Sequence, residues 1–346
     1  MSDAIAAELR ALRTSATVAD ADHVACIRIR GAGAQDLLDR VSPRTLFARP
    51  GRMVHTLLLD DVAKPLADVY LCCDEDDFLV FADGMPASAV IDYLAPHARG
   101  LDAACEDLAP THALLSLGGP YAWEVLAELA TPDVIGLPYL NFFHEARFVC
   151  FRGGKTGEYG YDLLIERDRL DAVRDQLATV GRQFDLATIS LPALDAAALE
   201  NFFWNPRRDV RAGLTPIELQ LQWRVTYGRT FPGAGALARR RQEASRRSVL
   251  IASEGALADD ALVTAGDRTI GTILSAGRSP TRGDWLAVAL VDRRYAHAGL
   301  VGLSSNGVPV RTLSAPSIDN RSLYIDPQRH SYASRETDRF PPLVRA

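Results

Sequence analysis

The chain has only two lysines among its 346 residues, Lys64 and Lys155, and nearly all its positive charge is arginine. That reads as a coding bias, but it singles out each lysine for attention. The five cysteines (Cys26, Cys72, Cys73, Cys105 and Cys150) are odd in number and lack CxxC spacing. They argue against a disulfide framework or a zinc site and fit a reducing, cytoplasmic setting. No apolar run reaches the roughly 18 residues needed to span a bilayer, so no membrane is expected as a partner. There is no GxSxG, HExxH or Walker loop, and no GxGxxG at a strand–helix junction. Seven histidines (His23, His55, His97, His112, His144, His297 and His330) are scattered without ligand spacing, so no metal is expected. A net charge of −6 argues against a general nucleic-acid binder.

What is present is a globular chain, 48% hydrophobic and 24% charged, long enough for two or three packed modules. Its first 13 residues read as an amphipathic helix rather than a signal peptide, with Ser2 and Asp3 as caps and Ile5, Leu9 and Leu12 on one face. Strands are predicted over residues 23–29, 55–59, 67–73, 77–81, 112–117, 147–151 and 161–165. Helices are predicted over 34–41, 86–94 and 167–180, with another opening on Pro120 at its first turn. Repeated strand–helix–strand–strand units predict α+β modules of ferredoxin-like type. The arginine-rich stretch 239–247 reads as a linker, since no aromatics interleave it as they would a nucleic-acid patch. Short strands at 248–252, 261–264, 269–273, 285–291 and 309–313, with a turn at Gly266-Asp267, predict a small β-barrel. The division expected is 1–240 in two lobes, 246–325 as the barrel, and 326–346 as a polar tail, surface-bound or loose.

Two local features carry chemistry. Asp68 is the one charge inside the apolar run Leu66-Ala67-Asp68-Val69-Tyr70-Leu71. A carboxylate inside a strand is costly unless it is partnered or functional; pattern alone favours the polar face of an alternating strand. The stretch Gly153-Gly154-Lys155-Thr156-Gly157-Glu158-Tyr159-Gly160 has four glycines in eight residues. Such a loop turns sharply or lets backbone approach a ligand, and a hairpin loop is the plainer reading.

Several segments in matching order resemble the glycine-cleavage T-protein (aminomethyltransferase) family and its folate-binding YgfZ-like relatives. Thr156-Gly157-Glu158-Tyr159-Gly160-Tyr161-Asp162 is similar to its TGEDG(F/Y)E motif. Leu199-Glu200, Asp209 and Thr215-Pro216-Ile217-Glu218, running on to Trp223, resemble LE…D…TPxExGLGW. Phe231-Pro232-Gly233-Ala234-Gly235-Ala236-Leu237 resembles F-x-G-x-x-A-L, and Gly271 to Thr281 resembles GxVTSGxxSPT, with Ala287 to Leu290 like the IALA that follows. The match covers roughly residues 20–320. The resemblance implies a three-lobed architecture, two ferredoxin-like folate-binding lobes plus a C-terminal β-barrel. The cofactor it implies is tetrahydrofolate, or its 5,10-methylene or 5-methyl form. Asp68 falls on the family's catalytic aspartate, which orients the amine of a C1 donor or exchanges a proton with a folate nitrogen. Asp162 falls where an acidic residue holds the pterin's amino and ring N–H groups. Tyr139, Phe81 and Asp83 fall on positions lining the folate site, and Glu158 and Trp223, inside matched motifs, are taken as further cofactor contacts. Lys155, Tyr70 and Glu200 are the candidates for substrate contact.

The departures bear on the substrate. The family's ARDxxRLE helix reads Ala193-Leu194-Asp195-Ala196-Ala197-Ala198-Leu199-Glu200, so both arginines are gone. Arginines there suit carboxylates. The tyrosine before TGE has become Lys155, which could meet an anionic substrate group or Asp162, or simply face solvent. These changes argue against a housekeeping aminomethyltransferase serving a lipoyl carrier protein. They favour a C1 (methyl or methylene) transferase acting on a different small-molecule donor or acceptor, as a monomer or weak dimer. The alternatives are a non-catalytic folate-binding accessory or tRNA-modification-type protein of the YgfZ-like branch, whose KGCYxGQE motif is missing here, and a pseudoenzyme that keeps the cavity as a scaffold.

Overall fold

A computed structural model describes residues 3–46 and 49–344, so the capping role expected of Ser2 lies outside the described residues. Helix α1 (Asp3–Thr14) is followed by β1 (Thr17–Asp20), β2 (Val24–Arg30), α2 (Ala34–Val41), β3 (Arg52–Leu59), β4 (Pro65–Cys73) and β5 (Asp77–Asp83). Then come α3 (Ala87–Leu94), β6 (Ala104–Asp107), β7 (His112–Gly118), α4 (Ala122–Leu129), β8 (Phe142–His144), β9 (Val149–Arg152) and β10 (Gly160–Glu166). Helix α5 (Leu170–Gly181), β11 (Ala187–Thr188) and α6 (Leu191–Glu200) complete this part. A largely irregular stretch leads to α7 (Ala234–Glu243) and six strands: β12 (Arg246–Ser253), β13 (Leu262–Ala265), β14 (Arg268–Arg278), β15 (Trp285–Asp292), β16 (Leu303–Ser305) and β17 (Val308–Leu313).

The strands form three bodies. One sheet runs β3-β4-β5-β2-β6, a second runs β11-β1-β7-β10-β9-β8, and the last six strands close a barrel in the order β12-β15-β14-β13-β16-β17. The two sheets face each other, and the period of two along their strands explains how. In β4, Ala67, Val69, Leu71 and Cys73 pack against α2 and α3 through Leu37, Leu38, Val90 and Leu94. Tyr70 and Cys72 point the other way, into a core shared with Phe151 and Leu164 of the second sheet. In β10, Tyr161, Leu163 and Ile165 pack with α4 and α5, while Leu164 faces the first sheet. The barrel fills its interior with Val249, Ile251, Val263 and Ile273. Its outer face, through Leu250, Leu274 and Leu286, meets Leu57, Leu59 and Ala63 of the first sheet's hairpin. No helix among the described residues is long and apolar enough to cross a membrane.

Two expectations change and a third is narrowed. The arginine-rich stretch is not a linker: Arg239 to Arg241 lie inside α7, where Arg240 pairs with the buried Glu218, and Arg246 and Arg247 open β12. Of the two readings of the tail, the surface-bound one holds: Tyr332 is buried edge-on against Tyr121 and Phe184, and Asp319 donates its amide to the Leu343 carbonyl. Pro120 stands before α4 rather than in it, the helix beginning at Ala122 with Tyr121 in the cap position.

Arg13 ties the bodies together. It is 1% exposed, and its guanidinium reaches Glu158 at 3.3 Å and Glu200 at 2.9 Å, both with fully buried side chains. It also donates to the Thr156 carbonyl at 2.6 Å and Asn320 Oδ1 at 3.0 Å. Glu158 further accepts from the amide and hydroxyl of Ser322, and Glu200 from the Ser279 hydroxyl. One side chain of α1 thus holds the glycine loop, α6, the barrel and the start of the tail. Replacing Arg13 with Met leaves two buried carboxylates without a counter-charge. The expected loss is about 3–5 kcal/mol of unfolding free energy in urea titrations, and a loss below about 1 kcal/mol would mean the cluster behaves like a surface pair.

Candidate functional site

Between the two sheets, where the shared core gives out, lies a cavity of ≈ 940 Å³ including its mouth. Asp68, Tyr70, Phe81 and Asp83 line it from the first sheet, Ser116 and Asp162 from the second, Lys155 from the glycine loop, and Leu194 and Asp195 from α6. Strand alternation puts both carboxylates here: Asp68 shares a face with Tyr70, and Asp162 with Leu164, the two faces that meet between the sheets.

Asp68 is 3% exposed and sits directly across from Asp83 on the neighbouring strand. Like charges in such a pair repel, and Lys155 resolves the conflict by bridging them. Its ammonium is 2.6 Å from Asp68 Oδ2 and 3.1 Å from Asp83 Oδ2. Asp68 Oδ1 is bound by Arg224 and by His55 Nε2 at 2.7 Å. Burial alone would push the Asp68 carboxyl up; Arg224, then Lys155, then His55 outweigh it and hold it well below the usual carboxylate range. Burial lowers the pKa of His55, so its ring is neutral, and an acceptor-only carboxylate requires the proton to be on Nε2. The chain of charges continues from Asp83 to Arg207 at 3.2 Å, and from Arg207 to Asp195.

Asp162 differs. Among the described residues it has no ion-pair partner. Burial pushes its carboxyl up to about 6, against a hydrogen bond from Ser116 and the more distant charge of Lys155. Ser116 is its cross-strand neighbour. Of the site's carboxylates, Asp68, Asp83 and Asp195 are paired with cations and Asp162 is not.

The structure brings together six of the ten residues singled out in the sequence: Asp68, Asp162, Phe81, Asp83, Lys155 and Tyr70 all line the cavity. Tyr139 and Trp223 do not. Tyr139 is 56% exposed and bonds Tyr70 from outside, and Trp223, equally exposed, stands edge-on to His55 behind Asp68. Glu158 and Glu200 are corrections: both turn away into the Arg13 cluster, because the glycine loop and the end of α6 point them at its guanidinium. Lys155 neither faces solvent nor pairs with Asp162; it holds Asp68 and Asp83. Sequence reasoning missed His55, Arg224, Ser116, Arg207 and His23, the last of which also lines the cavity. A hairpin register pairing His55 with Tyr70 would have found the first. The others come from distant segments and left no local signal.

The motifs account for the rest of the architecture. Gly157 takes φ +82°, and a Cβ there would lie 2.5 Å from Asn201 and Asn320, so its freedom serves close packing of the loop on α6 and the tail. In the TPxE segment, Glu218 accepts from the Thr215 amide at 3.0 Å and hydroxyl at 2.6 Å, a local lock on the turn. Asp209 takes the Ser275 hydroxyl and the Asn205 amide. Among the described residues no group of three or more His, Cys, Asp or Glu is placed to hold a metal.

Comparison with known proteins agrees with this architecture. The aminomethyltransferase of Saccharopolyspora erythraea is 29% identical over 330 residues, covering 90% of this chain and 89% of that protein. That of Thermotoga maritima is 25% identical over 295 residues, covering 83% and 81%. The crystal structure of the glycine cleavage system aminomethyltransferase T from Bartonella henselae superposes with a TM-score of 0.81 at 24% identity, covering 92% of this chain and 90% of that one, and shows the same α+β three-lobed fold. The model of the GCVT N-terminal domain matches residues 1–229, about two thirds of the chain, and so the protein belongs to the GCVT family, as a glycine-cleavage T-protein-like protein.

Proposed function

We propose that the protein is a tetrahydrofolate-dependent C1 transferase, aminomethyltransferase-like, with a small-molecule partner that differs from that of the housekeeping enzyme. The observation that carries this is Asp162, a half-buried carboxylate in the cavity wall with no cation of its own among the described residues. A half-buried acid without a counter-charge fits a ligand that brings N–H donors, and a reduced pterin offers an amino group and a ring N–H side by side. Tetrahydrofolate supplies nitrogens able to carry one carbon at the methyl or methylene level. Phe81, Leu117 and Leu194 give its ring system apolar walls.

Asp68 acts here as a fixed negative charge rather than a proton carrier, since Arg224, Lys155 and His55 hold it ionised. Its proposed role is to hold the Lys155 ammonium in the cavity wall and, through it, to orient the reacting groups at the transfer point. Leu194 and Ala198, standing where the family has arginines, make that wall of the cavity apolar. The guanidinium nearest to it is Arg207, which is the candidate for holding carboxylates of the folate tail. The accessory-protein reading has no structural observation in its favour.

Calorimetry with tetrahydrofolate tests the cofactor. Asp162→Ala is expected to lose binding. Asp68→Asn is expected to bind but to lose turnover in a screen of folate C1 products, with a lower melting temperature because the buried Arg224 loses its counter-charge. No tetrahydrofolate binding by the wild-type protein would sink the reading.

The pH dependence of binding follows from Asp162. Only its ionised form accepts from two N–H donors, and in the free protein its carboxyl is pushed up to about 6. Affinity is therefore expected to hold above that value and to weaken below it, approaching about tenfold per pH unit. A flat profile from pH 5 to 7.5 would remove Asp162 from the contact.

A further inference from the structure

Lys155 occupies a place that a substrate would otherwise fill. Of the two Asp68 oxygens, Oδ1 is taken from behind by His55 and Arg224, neither of which lines the cavity. Oδ2 is capped by the Lys155 ammonium, which does line the cavity. The lysine cannot leave by a shift of its loop. On one side the Gly154 amide meets the Tyr70 hydroxyl at 3.5 Å; on the other, the Thr156 carbonyl is held by Arg13 and Asn201. The side chain is only 22% exposed, and its second anchor, Asp83, is itself fixed by Arg207. A primary ammonium thus sits, tethered and hydrogen-bonded, where a buried carboxylate would receive an amine.

We propose that the Lys155 ammonium is a built-in occupant of the amine subsite beside Asp68, so that the enzyme excludes protonated-amine C1 partners and takes one that is neutral or anionic at its reacting atom, as a phenol or thiol is. A second ammonium at Asp68 would meet the first at contact distance, whereas an oxygen or sulfur that carries or develops negative charge finds a cation waiting. Lys155 is in this sense a specificity residue. The proposal deepens the reading of the cavity as the C1-transfer site and rests on it.

Methylammonium chloride is the probe, titrated calorimetrically against equal concentrations of tetramethylammonium chloride as the ionic-strength control. Wild-type protein is expected to show no saturable binding. Lys155→Ala opens the subsite and is expected to bind methylammonium at least about tenfold more tightly than wild type, and the gain should vanish when Asp68→Asn is added. Equal binding by wild type and Lys155→Ala, or none by a folded Lys155→Ala, would overturn the proposal. The wild-type protein gives a second measurement that no misfolded variant can spoil. With only two lysines, side-chain 15N labelling gives two ammonium signals to follow. The Lys155 signal should be protected from exchange and indifferent to methylammonium; a saturable shift would show that the lysine yields its place. Tetrahydrofolate binding measured on the same samples separates the two ideas. Its absence would remove the proposed cofactor while leaving the methylammonium result to stand or fall alone.

Discussion

The fold depends on a buried arginine between two buried glutamates. Ion pairs so placed gain little net stability over a well-packed apolar core, because desolvation offsets their attraction. What they do provide is a requirement that every partner be present at once. Arg13 of α1 can be buried only if Glu158 of the glycine loop and Glu200 of α6 meet it, and those carboxylates can be buried only if Ser322 and Ser279 complete their hydrogen bonds. Segments more than 300 residues apart in sequence, Arg13 and Asn320 among them, are therefore fixed to a single arrangement. The cavity lies beside this junction: Thr156, whose carbonyl Arg13 binds, follows Lys155 directly. The position of the lysine at the centre of the site is thus set by an arginine that never enters it.

The same reasoning reassigns the motif residues. TGE, LE, SPT and TPxE invite a reading as a catalytic inventory, but in this chain their acids and hydroxyls mostly bind one another. Glu158 and Glu200 serve Arg13, Glu218 locks its own turn to Thr215 and Arg240, and Ser279 serves Glu200. Of the acids in these motifs, Asp162 and Asp195 line the cavity. Recurring polar residues in this architecture are largely there to satisfy buried polar groups.

Much of the fold was legible because it is written locally. The alternation in β4 and β10, the helical spacing in α2 and α5, and the turn at Gly266-Asp267 all depend on neighbours in sequence. Asp68 and Asp162 could be placed by resemblance to a motif. The errors and the open alternatives share one cause, which is that tertiary partners decide. Arg239 to Arg241 lack apolar periodicity, yet they form a helix because Arg240 has a buried glutamate to reach. The tail has the composition of a loose end, yet Tyr332 finds an aromatic pocket. His55 and Arg224 look like a strand histidine and a loop arginine until the fold sets both on Asp68.

Two of the cavity's carboxylates, Asp68 and Asp162, oppose each other in their linkage to folding. The pKa of Asp68 is depressed in the folded state, so its contribution to stability is present above its unfolded value and is lost as pH falls through the folded one. Asp162 has its pKa raised to about 6, so it favours folding only while it can stay protonated, and that contribution is lost as pH rises through about 6. At neutral pH the chain therefore folds with Asp68 compensated by cations and Asp162 ionised without a counter-charge. The uncompensated one marks where binding energy is to be gained, because a ligand that donates hydrogen bonds to Asp162 relieves a cost that folding imposed. The compensated one marks where the chain has already made its choice of cation. A site built on both would bind its cofactor through the first carboxylate and select its partner through the lysine on the second.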